Sequence, residues 1–161
     1  MAWNVRISWR FAGAASLVLV ALAGCVPRPI VATAAIPPIP PGEARVWFYR
    51  DYIPSETLNM TAVALNGVYA GYSQLGGAIY RDVPPGVYHV TVNSYGTDFG
   101  QSTNIAVVPG QQAYIKIESL RDWATDYGLG FTAGRDTFYA RLMPTELARA
   151  QIAQSFYDGG S

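Results

Sequence analysis

From Ala44 onward apolar and polar side chains alternate with a period of two, the pattern of strands rather than of a helix. ARVWFYR (44–50) sets Val46 and Phe48 against Trp47 and Tyr49. MTAVALN (60–66) and VYAGYSQ (68–74) flank Asn66-Gly67, two residues that tolerate the positive φ a tight hairpin demands. AIYRDV (78–83) runs into the turn Pro84-Pro85-Gly86. VYHVTVNSY (87–95) sets Tyr88, Val90 and Val92 against His89 and Thr91. QSTNIAVV (101–108) stops at Pro109-Gly110, and QAYIKIES (112–119) sets Ala113, Ile115 and Ile117 against Tyr114 and Lys116. RDWATDYGLGFTAGR (121–135) has no clean period and reads as a loop, whereas DTFYARLM (136–143) reads as one more strand. Seven to eight short strands, with turn signals about every 8 to 12 residues, predict a mainly β chain folded as an antiparallel β-sandwich. Pro144 then opens a short amphipathic helix, TELARAQIAQSFY, with Ala148, Ile152 and Phe156 on one face and Gly159-Gly160 as its stop. That helix is expected to pack on the sandwich or to cover an open edge.

The alternation is absent upstream. Arg6 and Arg10 precede FAGAASLVLVALA (11–23), an uncharged run too short for a spanning helix but of the length of an export signal. The chain's one cysteine, Cys25, follows directly. Next comes VPRPIVATAAIPPIPPG (26–42), with six prolines. Proline fixes φ and removes a donor, so this stretch favours extended polyproline II. At about 3.1 Å per residue, it spans at most roughly 55 Å from Cys25 to the first strand. The expected organisation is therefore a signal peptide over residues 1–24, a tether over 25–42 and a β-sandwich with its helix over 43–158.

Composition changes the picture in two ways. The chain has 161 residues, 11 basic and 11 acidic, so no basic excess points to nucleic acid. Loss of Arg6 and Arg10 with the signal leaves the mature chain mildly acidic. A single cysteine allows no internal disulfide, so an exported chain needs another use for it.

Leu22-Ala23-Gly24-Cys25 resembles the bacterial lipobox. A thiolate is a soft nucleophile that can take a diacylglyceryl group as a thioether. Ala23 and Gly24 are small enough for a peptidase to grip the backbone beside the cysteine, and Leu22 suits an apolar pocket. Cleavage frees the amino group of Cys25 for an N-acyl chain. Two or three chains make a durable anchor where one is marginal. Position 26 is Val rather than Asp, which by the enteric lipoprotein rule directs the chain to the outer membrane, facing the periplasm.

The head, about residues 43–155, resembles a family of small bacterial lipoproteins that carry a β-rich domain of unknown function. The resemblance rests on the first strand ending in Tyr49-Arg50, the ALNGVYAGY hairpin, DVPPGVYHVTV, VVPGQQAYIKIE and the C-terminal strand and helix. Strand, Pro-Gly turn and aromatic strand in succession are also similar to transthyretin-like and Ig-like sandwiches. The resemblance implies an envelope location and this fold. It implies no chemistry.

Residues that could carry chemistry are few. Ser73 in GYSQLG does not sit in a G-x-S-x-G elbow, and His89, the one histidine, reads as a sheet-face residue beside Thr91. Asp122, Asp126 and Asp136 match no calcium loop. Gly128, Gly130 and Gly134 neither follow a parallel strand nor precede a helix, so they read as loop rather than as a phosphate cradle. Asn59-Met60-Thr61 is a formal sequon without weight behind a bacterial lipobox. Neither a catalytic set nor a metal or cofactor is expected, beyond the covalent diacylglycerol and N-acyl chain on Cys25. The candidates for binding are Arg50, an anion-sized charge at a strand end, and the strand tyrosines Tyr49, Tyr72, Tyr80 and Tyr114, whose flat bodies and polar tips suit sugars or protein partners. The expected function is a lipid-anchored, non-enzymatic structural or protein-interaction module. The alternative is a module that binds peptidoglycan or another glycan through a tyrosine-rich face. The sequence sets no oligomeric state.

Overall fold

A computed structural model describes residues 36–126 and 131–160. The signal segment, Cys25 and most of the tether lie outside these residues, as do Gly128 and Gly130. The head is a β-sandwich, as expected from the alternation. Its elements are β1 (Ala44–Tyr49), β2 (Thr61–Leu65), β3 (Val68–Ser73), β4 (Gly77–Val83), β5 (Gly86–Val92), β6 (Thr103–Val107), β7 (Gln112–Asp126), β8 (Phe131–Leu142), α1 (Thr145–Ile152) and β9 (Phe156–Gly160). One sheet has the order β8-β7-β1-β4-β9 and the other β3-β2-β5-β6. Most pairings are antiparallel, but β1 runs parallel to β7 and β4 parallel to β9.

The core lies between the sheets. Val46 and Phe48 of β1, Ile79 of β4, Ile115 and Ile117 of β7 and Phe138 of β8 meet Val63 and Leu65 of β2, Val90 of β5 and Ile105 of β6. The alternation that predicts strands also decides which residues face this layer. Trp47 and Tyr49, on the opposite phase of β1, are apolar too, because the second face is covered: Trp47, Tyr49, Tyr80 and Tyr114 pack beneath Ala148 of α1. Trp47 meets Tyr80 edge-on at 5.1 Å between ring centroids. A strand buried on both faces should read as an unbroken apolar run, and VWFY does.

Two expectations are corrected. Residues 121–126 and 131–135 are strand rather than loop: Arg121 pairs with Asp136 and Asp126 with Phe131, so β7 and β8 form one long hairpin, and the rest of that expected loop, 127–130, lies outside the described residues. The missing period has a physical reason. Lys116 is the last β7 residue paired with β1, so the hairpin beyond it is held by its own ladder and lacks a covering neighbour strand that would impose alternation. The C-terminal helix is also shorter than expected. It ends at Ile152 with Ala153 as its C-cap, Phe156 leaves its apolar stripe, and Gly159-Gly160 belong to β9 instead of stopping a helix. The Phe156 N–H donates to the Gly76 carbonyl and begins a strand on the open side of β4. Pairing that edge removes a row of unsatisfied backbone groups.

The turn Asn66-Gly67 forms as its residues dictate, with φ of 50° and 79° and Leu65 paired to Val68. The register then slips: Ala64 pairs with Tyr69 but Val63 with Gly71, leaving Ala70 as the extra residue of a bulge. Gly71 has φ +146°, and a Cβ there would run into Ile79 Cδ1 in the opposite sheet. Glycine thus satisfies both the backbone and the inter-sheet contact. Gly71→Ala is expected to cost about 3 kcal/mol through strain and overpacking, read as a lower urea midpoint at unchanged slope.

Candidate binding face

Arg50 is fully buried rather than presented to an anion. It follows β1, and its guanidinium is consumed inside the fold. Nε donates to Glu56 Oε2 at 3.1 Å, Nη1 to the Asn59 carbonyl at 2.9 Å, and Nη2 to the Thr57 carbonyl at 2.7 Å and Ser119 Oγ at 2.9 Å. Its plane also lies 5.3 Å from the Phe138 ring centroid. Thr57 and Asn59 in turn donate to Asp136 Oδ2, at 2.7 and 2.5 Å. Arg50 is a structural clamp on the 51–60 crossover, which corrects its reading as a ligand-binding charge.

Three of the four candidate tyrosines are likewise withdrawn from the surface. Tyr49, Tyr80 and Tyr114 are buried under α1. The polar tips of Tyr49 and Tyr114 are satisfied locally. The Tyr49 hydroxyl donates to Gln151 Oε1 at 2.7 Å, and Arg149 Nε donates to the Tyr114 hydroxyl at 3.1 Å. Burial, with the negative charges of Asp51 and Glu118 nearby, pushes the Tyr49 phenol above its ordinary range. The aromatic pattern alone could not show this, because a tyrosine facing a helix and one facing water have the same period.

Ser73 and His89 are not brought together. Ser73 is buried at the end of β3, whereas His89 is exposed on the outer face of β5, its Nδ1 2.8 Å from Asn104 Oδ1. Asp136 sits in the Arg50 network. Among the described residues no group of three His, Cys, Asp or Glu side chains is placed to hold a metal.

Tyr72 is the exception, 54% exposed. The bulge decides its neighbourhood. Counting by two places Tyr69 and Tyr72 on opposite faces of β3, but the extra residue Ala70 turns both outward, opposite Ala64 and Ala62. Their rings meet edge-on at 5.4 Å. Across β2, Ala64 pairs with Thr91, and the Asn93 N–H donates to the Ala62 carbonyl at 2.8 Å. His89 then pairs with Asn104 on β6. The outer face is therefore a valley: a tyrosine wall on the edge strand, an alanine floor, and a rim of amide, hydroxyl and imidazole groups. Asn93 was missed in the sequence because its role depends on strand order, and only the bulge shows that Tyr69 and Tyr72 share a face.

At one end the valley opens into a recess of about 260 Å³, lined by Met60, Thr61, Ala62, Tyr72, Asn93, Ser94, Tyr95 and Phe138. Tyr95 and Met60 are exposed at its mouth. A second cleft, of about 470 Å³, runs along β7 and β8 past Glu56, Asp98, Lys116, Glu118 and Arg141. Its charges have internal partners: Lys116 lies 2.9 Å from Asp51, Glu118 lies 3.7 Å from both Lys116 and Arg141, and Asp98 accepts from the Tyr139 hydroxyl at 2.6 Å. The valley and its recess are thus the better candidate.

Comparison with protein-family models, with curated proteins and with solved structures returned no match.

Arg50→Ala is expected to lower unfolding free energy by about 3–5 kcal/mol in urea melts, because Glu56 and two carbonyls lose their buried partner. Tyr49 supplies a pH test. A raised folded-state pKa means that stability is fully present below the unfolded phenol value, about 10, and is lost as pH rises through and above it. Tyr49→Phe should flatten that alkaline loss. A phenolate absorbance titration should show one late-ionising tyrosine fewer.

Proposed function

We propose that this chain is a lipid-anchored, non-enzymatic protein of the cell envelope whose sandwich head is a structural or interaction module, held on the periplasmic side of the outer membrane. One observation carries the reading: the lone cysteine sits directly after Leu22-Ala23-Gly24, between an export-type apolar run and a proline-rich tether. The resemblance to small bacterial lipoproteins points the same way.

The geometry of the head supports presentation of a surface away from the membrane. The tether reaches the body at the start of β1, where the Arg45 guanidinium donates to the Pro37 carbonyl at 2.8 Å and to Asp82 Oδ1 and Oδ2 at 2.6 and 2.8 Å. The Glu43 carbonyl accepts from the Gly110 N–H at 2.7 Å at the same end. The recess opens at the opposite end, where β1 finishes and β2 begins, since Arg50 bonds to Asn59 there. A site at that pole lies away from the point where the tether joins the head, which suits a surface held clear of an anchor.

Mass spectrometry of the mature N-terminus from membrane fractions tests the anchor. A diacylated, N-acylated Cys25 is expected in wild type, and Cys25→Ser is expected to be released to the soluble fraction or left uncleaved. An unmodified, soluble wild-type chain would overturn the reading.

A further inference from the structure

The charges on the strands are segregated by sheet. β2, β3, β5 and β6 contain no Lys, Arg, Asp or Glu. The five-stranded sheet carries Arg45, Arg81, Asp82, Lys116, Glu118, Arg141 and more. A solvent-facing sheet without formal charge offers nothing to steer or match a charged polymer. It does offer what an uncharged, hydroxyl-rich chain requires: flat aromatic bodies for the apolar faces of the rings, and neutral donors and acceptors for their edges.

We propose that the outer face of the four-stranded sheet binds a neutral polysaccharide chain, lying in the alanine valley with Tyr69 and Tyr72 along one side. This rests on the reading of the head as an anchored interaction module and names its ligand class. The floor is low because Ala62 and Ala64 have only methyl groups, so a sugar ring can reach the tyrosine wall. Asn93 and Thr91 stand on the far side of the floor, and the fixed His89–Asn104 pair extends the polar rim to the last strand. At the distal end the recess, about 260 Å³ and lined by Tyr72, Tyr95, Asn93 and Ser94, takes the end or a substituent of the chain. The bulge at Ala70 is then part of the site, since it sets both tyrosines on one face.

The test uses the full lipidated chain in zwitterionic detergent micelles, titrated calorimetrically with chitohexaose and cellohexaose as neutral probes and with polygalacturonate as an anionic one. At least one neutral hexasaccharide is expected to bind, with affinity reduced tenfold or more by Tyr72→Ala, largely kept by Tyr72→Phe, and unchanged by Tyr52→Ala, a still more exposed tyrosine on the crossover. Failure of both neutral probes, or binding indifferent to Tyr72→Ala, overturns the proposal. So does a dimer in sedimentation that Tyr72→Arg dissociates, because a second copy would then occupy the face. A photo-crosslinker at position 72 separates this failure from that of the underlying reading. Capture of an envelope protein without sugar binding keeps the anchored module and rejects the glycan, whereas an unmodified Cys25 removes the anchor whatever the sugars do.

Discussion

The buried guanidinium of Arg50 is the interaction on which the two sheets' relation depends. The chain leaves the five-stranded sheet after β1 and must cross to the other through residues 51–60, a segment without regular hydrogen bonding of its own. Arg50 supplies the missing partners, binding Glu56 and the carbonyls of Thr57 and Asn59 while also bonding to Ser119 of β7. A single planar donor with a fixed fork thereby fixes a crossover, the start of β2 and the middle of the long hairpin together. Burying such a charge is costly unless it is paired and hydrogen-bonded, and here it is held by the Glu56 carboxylate, two carbonyls and Ser119, with the network extending through Thr57 and Asn59 to Asp136 Oδ2.

Everything on the four-stranded sheet follows from that placement. Once β2 starts where Arg50 sets it, Ala62 and Ala64 face out and Val63 and Leu65 face the core. The bulge on β3 then re-aims Tyr72 against the count of two, and Gly71 makes room for Ile79 of the opposite sheet. The outer valley is thus the other side of a packing solution rather than an independent feature.

How much of this was readable in the chain varied with the kind of interaction. Strand identities were legible because alternate positions face a shared core, and the Asn66-Gly67 turn because its backbone permits little else. Residues 121–126 and 131–135 were not, because a hairpin that outruns its neighbours is held by backbone pairing, which leaves no mark on side-chain pattern. The helix end was missed because Phe156 fits both a helical stripe and a strand. Tyr49, Tyr80 and Tyr114 looked like surface candidates because period distinguishes the two faces of a strand but not what lies over each. The site itself depended on which strands share a sheet, and a charge-free sheet becomes visible only when β2, β3, β5 and β6 are known to be neighbours.

The position of β1 has a mechanical consequence. It receives the tether at one end, lies between β4 and β7, and is hydrogen-bonded to both along its length. A pull applied through the tether enters along this strand's axis. The ladder bonds run across that axis and would be loaded in shear, together, rather than peeled one after another. Before they carry load, Arg45's grip on Pro37 would yield, adding slack from the tether while the head stays folded. The strand with both faces buried is also the one best placed to bear tension.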